Sequence, residues 1–587
     1  MRMRGWMALA VGLLVCMAAA YGAYTLANYS WTQVVDYRGP YASAALPAGE
    51  DPLAGVVTTG GARPLMVYVI VDGLREDVSR VMPTLNMLRA HGFDAVVRTS
   101  QPSLSFPNWT TLLSGAPQRI SGVTTNWFTG RVPVETIIDT ALQAKRTVAV
   151  SAPTDFDMLF GVKRTGHVFL RDWTKGEYMT GGIVDNAIRL SAEASPTLLV
   201  VHFPDVDEAG HASGGASKAY RDTALRVDRD LARLVAALEG PETTFVVTSD
   251  HGHIDTGGHG GPEDVVTKVP AVFAGPDVRP GTGEGTQDQV APTVALLADL
   301  PAPRNATGVP LDLTALPRSG AGRFTAQQVA AFGAYTAAVT GPPAKPNTEL
   351  LTVEGARAAF DRATTARLAR ERSARLPMAL ALAAACVLAI VGVGVLSWRA
   401  LTSALAGTGA YYLVYEGLFF VVHGYRWSLS SFNSEEFLKP FLNGRMTDAV
   451  IAGVVAAFVA GVVYLFTRRR PRRARGEFLS GWLALGVATV LVVQATIGLQ
   501  VAWYLWFWGA SVTWFIPDLA MGFKYDLDLI QLTGLGAAAL LAPVVTWLLG
   551  RYHPVRRSSG PSAGPGEGAG VPSKPLVPVG AGSAAKE

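Results

Sequence analysis

One stretch of the sequence indicates both a fold and a site: Phe245-Val246-Val247-Thr248-Ser249-Asp250-His251-Gly252-His253-Ile254-Asp255-Thr256-Gly257-Gly258-His259. Short β-branched runs such as its opening are typical of buried strands, and in parallel α/β sheets the ligand-binding residues follow the carboxyl ends of strands. We therefore expect Asp250 and His251 to bind a metal ion at such an end, with His259 returning to the site after a Gly-Gly turn. A polar surface loop is the alternative, but the density of Asp and His residues argues against it.

Four other apolar runs, at residues 65–71, 147–150, 198–203 and 271–274, have the same character as the run before Asp250. Between two of these predicted strands, apolar residues recur at helical spacing with charges on the opposite face, which predicts an amphipathic crossover helix. Its apolar positions are Tyr220, Ala224, Val227, Leu231, Leu234 and Leu238. Strands that alternate with helices predict an α/β fold with a doubly wound, mostly parallel sheet.

The composition indicates that part of the chain lies in a membrane. The chain has 587 residues, 49% of them hydrophobic, and a mean hydropathy of +0.25, which is high for a wholly soluble protein. The net charge of +4 arises from basic residues beside apolar segments, as at 468–473, so it indicates membrane orientation and no nucleic-acid partner. Cys16 and Cys386 both lie in apolar segments, so the soluble part has no thiol for a disulfide or a Cys-ligated zinc site.

The apolar segments predict an integral protein of the cell membrane with its soluble domain on the extracytoplasmic side. The first segment is a signal anchor or a cleavable signal peptide, and we favour the anchor. Five later segments are each long enough to cross a hydrocarbon core of about 30 Å, and the arginines at 468–475 and 551–557 are expected on the cytoplasmic side. The predicted parts are an anchor (1–28), a linker (29–62), a soluble domain (63–340), a linker helix (341–377), a five-helix transmembrane bundle (378–550) and a disordered cytoplasmic tail (551–587).

Acids, histidines or a hydroxyl occur in four separated pieces of the soluble domain. The pieces are Asp72-Gly73, Ser103 to Asn108, Asp207-Glu-Ala-Gly-His211 and the stretch quoted above. In this order and spacing they resemble the alkaline phosphatase superfamily, and within it the type I phosphodiesterase and nucleotide pyrophosphatase branch, over roughly residues 65–310. Asn126, further along the chain, also fits the pattern of that branch.

The resemblance implies a site for two divalent metal ions. One ion would be held by Asp72, Asp250 and His251, and the other by Asp207, His211 and His259. The Ser105 hydroxyl would bridge toward both ions, and Asn126 would donate a hydrogen bond to a phosphoryl oxygen. The physical chemistry agrees, since a serine hydroxyl is a poor nucleophile at neutral pH and a neighbouring dication favours its alkoxide. Carboxylate and imidazole ligands without thiolate fit zinc, with manganese as the alternative.

Two departures from the branch bear on the function. Ser105 stands where the branch usually has threonine, and His259 follows His251 by far fewer residues than usual. The second feature, with one N-terminal span and a C-terminal bundle, is similar to the ethanolamine phosphate transferases of glycosylphosphatidylinositol (GPI) assembly. We therefore expect a phosphodiesterase or phosphotransferase that forms a phospho-Ser105 intermediate on a lipid or lipid-linked phosphodiester. Hydrolysis or transfer, and the oligomeric state, are left open.

The sequence is less consistent with two other function classes. A sulfatase shares the fold but needs Cys or Ser in a Cys/Ser-x-Pro-x-Arg context, and here Trp109 replaces the arginine after Ser105. A transporter or scaffold with an inactive soluble domain would be expected to have lost some of the metal ligands, whereas all six are present.

Single residues also have simpler interpretations. Asp72-Gly73 alone is often a turn, Ser105 could be a turn hydroxyl, and Asn108 a local cap. His253 and Asp255 are either outer partners of the metal ligands or solvated, and neither is assigned a role. His202 is interpreted as a core histidine, and Asp205 is set aside because only Asp207 stands four residues before His211.

Overall fold

The computed structural model describes residues 2–44, 64–174, 176–313, 318–341, 352–432, 434–467 and 475–551. The predicted tail from residue 552, residues 45–62 of the predicted linker and the basic run at 468–473 lie outside these ranges.

The described residues of the soluble domain form one eight-stranded sheet. Its order is β4-β3-β5-β1-β6-β7-β2-β8. Seven strands run in the same direction, and β7 alone is antiparallel to its neighbours β6 and β2. The predicted doubly wound, mostly parallel α/β fold is therefore confirmed. The strands are β1 (Leu65–Val71), β2 (Phe93–Arg98), β3 (Val148–Pro153), β4 (His167–Arg171), β5 (Leu198–Phe203), β6 (Thr243–Thr248), β7 (Lys268–Ala274) and β8 (Gly281–Thr286).

The sequence prediction missed β2, β4 and β8. Strands β4 and β8 are the two edges of the sheet, where less of each strand is covered. The side chains of β4 are all half-buried, and β8 has the sequence Gly-Thr-Gly-Glu-Gly-Thr with mostly exposed residues. Because these strands bury little apolar surface, they lack the continuous apolar run by which the inner strands were recognised.

Helices cover both faces of the sheet. Along β1, Met66, Tyr68 and Ile70 pack in one core, whereas the alternating residues, such as Val67 and Val69, pack in a second core on the opposite face. The helices are α1 (Arg2–Val35), α2 (Glu76–Ser79), α3 (Pro83–His91), α4 (Ser105–Ser114), α5 (Gln118–Ser121), α6 (Ile137–Gln143), α7 (Asp155–Phe160), α8 (Thr180–Ala194), α9 (Asp205–Ser213), α10 (Lys218–Leu238), α11 (Asp264–Thr267), α12 (Val290–Leu297), α13 (Arg318–Thr340), α14 (Val353–Leu396), α15 (Trp398–Glu416), α16 (Glu435–Thr467), α17 (Arg475–Phe507) and α18 (Leu519–Arg551). The predicted crossover helix is α10.

Among the described residues, six helices are long and apolar enough to cross a membrane: α1, α14, α15 with the π-helical turn that follows it, α16, α17 and α18. Each contains one of the six predicted apolar segments. Helix α1 packs with α17 and α18, and Gln494 Nε2 donates to the Cys16 carbonyl at 3.1 Å. The chain is an integral membrane protein.

Two of these helices continue past the predicted segment boundaries. Helix α1 runs through residue 28 to Val35, and α14 is a single helix that includes Pro377. The first turns of α14 place Val353, Ala356 and Phe360 in the core of the soluble domain. Helix α14 therefore joins that core directly to the bundle.

Candidate active site

The sheet order brings the predicted metal ligands together. Strands β5, β1 and β6 are neighbours and parallel, so their carboxyl ends lie side by side. Asp72 follows β1, Asp250 follows β6, and Asp207 lies in the first turn of α9, just after β5. His211 is one helical turn beyond Asp207, so both side chains lie on the same face of α9.

The ligand atoms form two adjoining clusters. In the first, His251 Nε2 lies 3.3 Å from Asp250 Oδ2 and 3.5 Å from Asp72 Oδ1. In the second, His211 Nε2 lies 3.2 Å from Asp207 Oδ2 and 3.3 Å from Nε2 of His259. The clusters meet where His251 Nε2 lies 4.0 Å from Asp207 Oδ1. The structure thus places Asp72, Asp250 and His251 in one group of potential ligands, and it places Asp207, His211 and His259 in a second group that also contains His253.

The clusters fit divalent cations. Two ligand atoms that each lie about 2.0–2.1 Å from a tetrahedral zinc ion are about 3.4 Å apart, close to the spacings above. Asp72 Oδ1 and Asp250 Oδ2 are buried and, among the described residues, have no hydrogen-bond partner. Because an unpaired buried carboxylate oxygen is strongly unfavourable, both atoms are suited to a bound cation.

Burial and mutual repulsion act on the charges of the first cluster. Burial raises the pKa of Asp72 well above its usual value, and the nearby carboxylates of Asp250 and Asp207 raise it further. Burial also raises the pKa of Asp250, although His251 opposes the shift. A dication between these groups would favour their ionised forms.

In the second cluster the pKa of the carboxyl group is lowered, not raised. Burial by itself would raise the pKa of Asp207, but His211 and His253 hold it well below the usual value. Burial lowers the pKa of His259 well below its usual value. A neutral imidazole beside an ionised carboxylate is the form in which both bind a metal.

Backbone contacts aim the Asp250 carboxylate. Its Oδ1 accepts hydrogen bonds from Gly73 N at 3.0 Å and His251 N at 2.9 Å, which leaves Oδ2 toward the cluster. Gly73 has a φ of +69°, and a Cβ at this position would lie 2.6 Å from the Asp207 Cα. Position 73, in the turn after β1, is therefore restricted to glycine, because this turn packs closely against α9.

Ser105 is the first residue of α4 and not a turn hydroxyl, which was its simpler interpretation from the sequence. Its Oγ lies 3.3 Å from His251 Nε2. Asn126 Oδ1 accepts a hydrogen bond from the Phe106 amide at 3.0 Å, which ties Asn126 to the start of α4. Ser105 and Asn126 line the same cavity as Asp72.

His253 was not assigned a role from the sequence, yet its buried ring contacts the second cluster. Its Nε2 lies 2.7 Å from Asp207 Oδ1, and the Gly258 amide donates to its Nδ1 at 3.2 Å. Because Nδ1 is an acceptor, Nε2 carries the proton and donates to Asp207. His253 is therefore placed to orient Asp207, because its own lone pair is not directed at the cluster. Its place in the Asp- and His-rich loop was the only sequence signal.

Asn108 and His202 also support the site. Asn108 is not a local cap, because its amide donates to the Asp250 carbonyl at 2.9 Å, alongside Gln287 Nε2 at 3.0 Å. His202 is buried against Trp109, as a core histidine should be, but its Nε2 also lies 3.1 Å from Asp72 Oδ2.

Asp205 and Asp255 lie apart from both clusters. The Asp205 carboxylate accepts hydrogen bonds from the backbone amides of Met179 and Thr180 at the start of α8. Asp255 forms an ion pair with Arg75 at 2.7 Å.

The site opens into a cavity of about 690 Å³, which is lined by residues of both the soluble domain and the membrane bundle. Ser434, directly before α16, and Glu436, in the first turn of α16, form its wall on the membrane side. Acidic and aromatic side chains dominate the rest of the lining. They include Phe106, Trp109, Trp127, Asp155, Trp173 and Glu208.

Comparison with known families agrees with this geometry. Residues 66–266 match the type I phosphodiesterase / nucleotide pyrophosphatase family. This range contains all six predicted metal ligands, Ser105 and Asn126. The resemblance inferred from the sequence is confirmed for this part of the chain.

Curated relatives resemble less than half of this chain. Mouse GPI ethanolamine phosphate transferase 1 is 22% identical over 42% of this chain and 32% of its own length. The catalytic subunit of human GPI ethanolamine phosphate transferase 2 is 23% identical over 45% of this chain and 30% of its own length. The chain thus spans about a third of the length of these relatives.

Two similar solved structures each align with less than half of this chain. Murine ectonucleotide pyrophosphatase / phosphodiesterase 5 aligns with 41% of this chain and 96% of its own, at 14% identity and a TM-score of 0.36. The wild-type alkaline phosphatase PafA aligns with 44% of this chain and 100% of its own, at 12% identity and a TM-score of 0.36.

Proposed function

We propose that this protein is a membrane-anchored, two-metal phosphotransferase or phosphodiesterase that acts through a phospho-Ser105 intermediate. The observation that carries the proposal is the position of Ser105, whose Oγ lies 3.3 Å from His251 Nε2 where the two ligand clusters meet. A hydroxyl at the start of a helix and beside two cation sites is suited to attack phosphorus, because both features stabilise negative charge on its oxygen.

The reaction would proceed in two displacements. Ser105 Oγ forms a bond to phosphorus while the bond from phosphorus to the leaving oxygen breaks; the serine proton passes to solvent, and the leaving oxygen gains a proton. An acceptor hydroxyl then attacks phosphorus, Ser105 Oγ departs and is reprotonated. With an alcohol as acceptor the product is a new phosphodiester, and with water it is a phosphomonoester.

Protein side chains and the two cations would have different roles in this reaction. Asp72, Asp250 and His251 would hold one divalent ion, and the second would be held by Asp207, His211 and His259. When bound, the two ions favour the serine alkoxide and stabilise charge on the attacking and leaving oxygens. Asn126, held by the Phe106 amide, would donate to a non-bridging phosphoryl oxygen. The donor set fits zinc, with manganese as the alternative.

The cavity lining supports a substrate with a cationic head group. Asp155, Glu208 and Glu436 supply negative charge, and the rings of Trp127 and Trp173 line the same cavity. Carboxylates and aromatic faces together attract ammonium groups. Ethanolamine phosphate, which the curated relatives transfer according to their names, has such a group. We therefore favour a phosphoethanolamine-type transfer over hydrolysis.

The membrane arrangement supports a lipid or lipid-linked substrate. Residues of the bundle line the catalytic cavity, so a phosphodiester held at the bilayer surface would lie near Ser105. The arginine-rich runs at 468–475 and 551–557 favour a cytoplasmic position for those segments, which supports an extracytoplasmic position of the soluble domain, residues 63–340.

The central test replaces Ser105 by alanine in the full-length protein. Turnover of a chromogenic phosphodiester such as bis(p-nitrophenyl) phosphate should be abolished, while both metal ions are retained. Ser114→Ala, at the other end of α4, is the matched control and should remain active. Undiminished turnover in the Ser105 variant would falsify the nucleophile assignment.

A second experiment separates transfer from hydrolysis. Purified wild-type protein is incubated with phosphatidylethanolamine vesicles, with and without an added alcohol acceptor, and the products are analysed by mass spectrometry. Transfer predicts a new phosphodiester on the acceptor. Release of phosphoethanolamine at the same rate under both conditions would contradict transfer and support a hydrolase.

A further inference from the structure

The segment between α15 and α16 contacts the metal-binding loop directly. Ser430, in this membrane-bundle segment, is 1% exposed. Its Oγ accepts a hydrogen bond from the Gly261 amide at 3.1 Å and donates one to Glu263 Oε2 at 2.9 Å. One hydroxyl of the bundle is therefore bonded twice to the loop that begins with His259.

From Ser430, hydrogen bonds continue to a metal ligand. The Gly261 carbonyl accepts from Ser103 Oγ at 2.8 Å, and the Ser103 carbonyl lies 3.0 Å from His259 Nδ1. Because a carbonyl can only accept, Nδ1 of His259 carries the proton, and its Nε2 lone pair is directed at the second cluster. Ser103 also stands two residues before Ser105, so the same bonds reach the segment that bears the nucleophile.

The fit between the bundle and this loop is close. A Cβ on Gly261 would lie 1.9 Å from Ser428 Oγ and 2.8 Å from Ser430 Oγ. A Cβ on Gly260, whose φ is +105°, would lie 3.2 Å from the Leu429 Cβ. The two glycines after His259 therefore allow the backbone of the metal loop to approach the bundle.

We propose that Ser430 is a positioning residue: a hydroxyl of the membrane bundle that fixes the Gly260-Gly261 segment and, through Ser103, the orientation of His259. The bundle thereby completes the second metal site in addition to anchoring the domain. The inference rests on the proposed function of the same site and extends it, because it assigns the bundle a part in catalysis. Ser430 does not line the cavity around Ser105, so it acts on the metal site without touching substrate.

The test compares Ser430→Ala with Ser431→Ala in the full-length, detergent-purified protein. Ser431 is the matched control, because among the described residues its Oγ bonds within the same segment, accepting from Arg426 N at 2.9 Å and donating to Arg426 O at 2.8 Å. Zinc affinity is measured by competition with a chromogenic chelator. Loss of a direct hydrogen-bond partner of a metal ligand typically lowers metal affinity about 10- to 100-fold. Because Ser430 acts on His259 through Gly261 and Ser103, we expect a loss near the lower end, about tenfold, for the weaker-binding zinc of Ser430→Ala, with Ser431→Ala within about twofold of wild type.

Kinetics on bis(p-nitrophenyl) phosphate provide a second readout. At subsaturating zinc, kcat of Ser430→Ala should fall while KM stays within about twofold of wild type, since the cavity is unchanged. Ser430→Thr, which keeps the hydroxyl, should recover most of the zinc affinity. The proposal would be overturned if the two alanine variants had the same zinc affinity, whether that affinity matched wild type or was reduced equally in both.

A second variant and an assay that does not depend on turnover cover two ways in which this test could otherwise fail. Should Ser430→Ala fail to fold, Ser430→Cys keeps the volume with a weaker hydrogen-bonding group, and the same loss of zinc affinity is expected; wild-type affinity would overturn the proposal. The chelator assay does not depend on turnover. A wild-type protein that binds two zinc ions but cleaves no phosphodiester would refute the proposed function, while the zinc affinities would still decide the role of Ser430.

Discussion

Replacing His253 by asparagine or glutamine tests whether this residue orients Asp207 or binds metal itself. Burial lowers the pKa of His253 to about 4, so its ring is neutral at pH 7 and has a single N–H. The Gly258 amide donates to Nδ1, which places that proton on Nε2, 2.7 Å from Asp207 Oδ1. Asparagine can still accept from Gly258 but is too short to reach Asp207, whereas glutamine can place an amide N–H near the position of Nε2.

The expected loss of zinc affinity follows from the hydrogen bond between His253 and Asp207 that the substitution removes. A hydrogen bond to a charged group contributes about 1.5–3 kcal/mol, which corresponds to about 10- to 150-fold in a binding constant. We therefore expect His253→Asn to weaken zinc binding at the second site by that factor, with the stoichiometry still two. His253→Gln should recover part of the affinity. Gly210, where a Cβ would lie 2.4 Å from the His253 ring, leaves space for either side chain.

The measurement is zinc titration of the metal-free, full-length protein, followed by mass spectrometry of the bound metal. His167→Asn, on edge strand β4 and away from both clusters, is the control. Unchanged affinity in a folded His253→Asn protein would refute the orienting role. Binding of a single zinc ion by both His253 variants would instead identify His253 as a direct ligand.

Four further predictions concern other parts of the site. Gly73→Ala should destabilise the fold and abolish turnover, since its Cβ would lie 2.6 Å from the Asp207 Cα; thermal unfolding and turnover measure this, and a stable, active variant contradicts it. Asn108→Ala should lower the free energy of unfolding by about 1–3 kcal/mol, because it removes a buried bond to the Asp250 carbonyl; urea titration would show no change if that bond were unimportant. Glu436→Gln should raise KM for a cationic phosphodiester several-fold and leave KM for a neutral one unchanged; equal effects on both would argue against a cationic head-group site. Chelation should lower the unfolding temperature and added zinc should restore it, because burial and mutual repulsion already oppose ionisation of Asp72 and Asp250; an unchanged temperature would exclude a stabilising metal.

Much of the fold was predictable because the inner strands and membrane segments bury continuous apolar surface. Strand β1 and the strand before Asp250 were recognised in this way, and both lie in the middle of the sheet. The edge strands β4 and β8 were not, because partial exposure leaves them without an apolar run. The continuity of α14 across the predicted boundary between the linker helix (341–377) and the bundle (378–550) was also not predicted.

The sequence by itself determined which side chains are available for chemistry, because strand ends, the helical spacing of Asp207 and His211 and the glycines around His259 are local properties of the chain. The tertiary structure alone decided which groups act on those ligands. Asn108 reaches Asp250, His253 reaches Asp207, and Ser430 reaches the loop of His259 from a membrane helix connection. These contacts join residues distant in sequence through the sheet order and the docking of the bundle, and no local pattern of the chain encodes such distances.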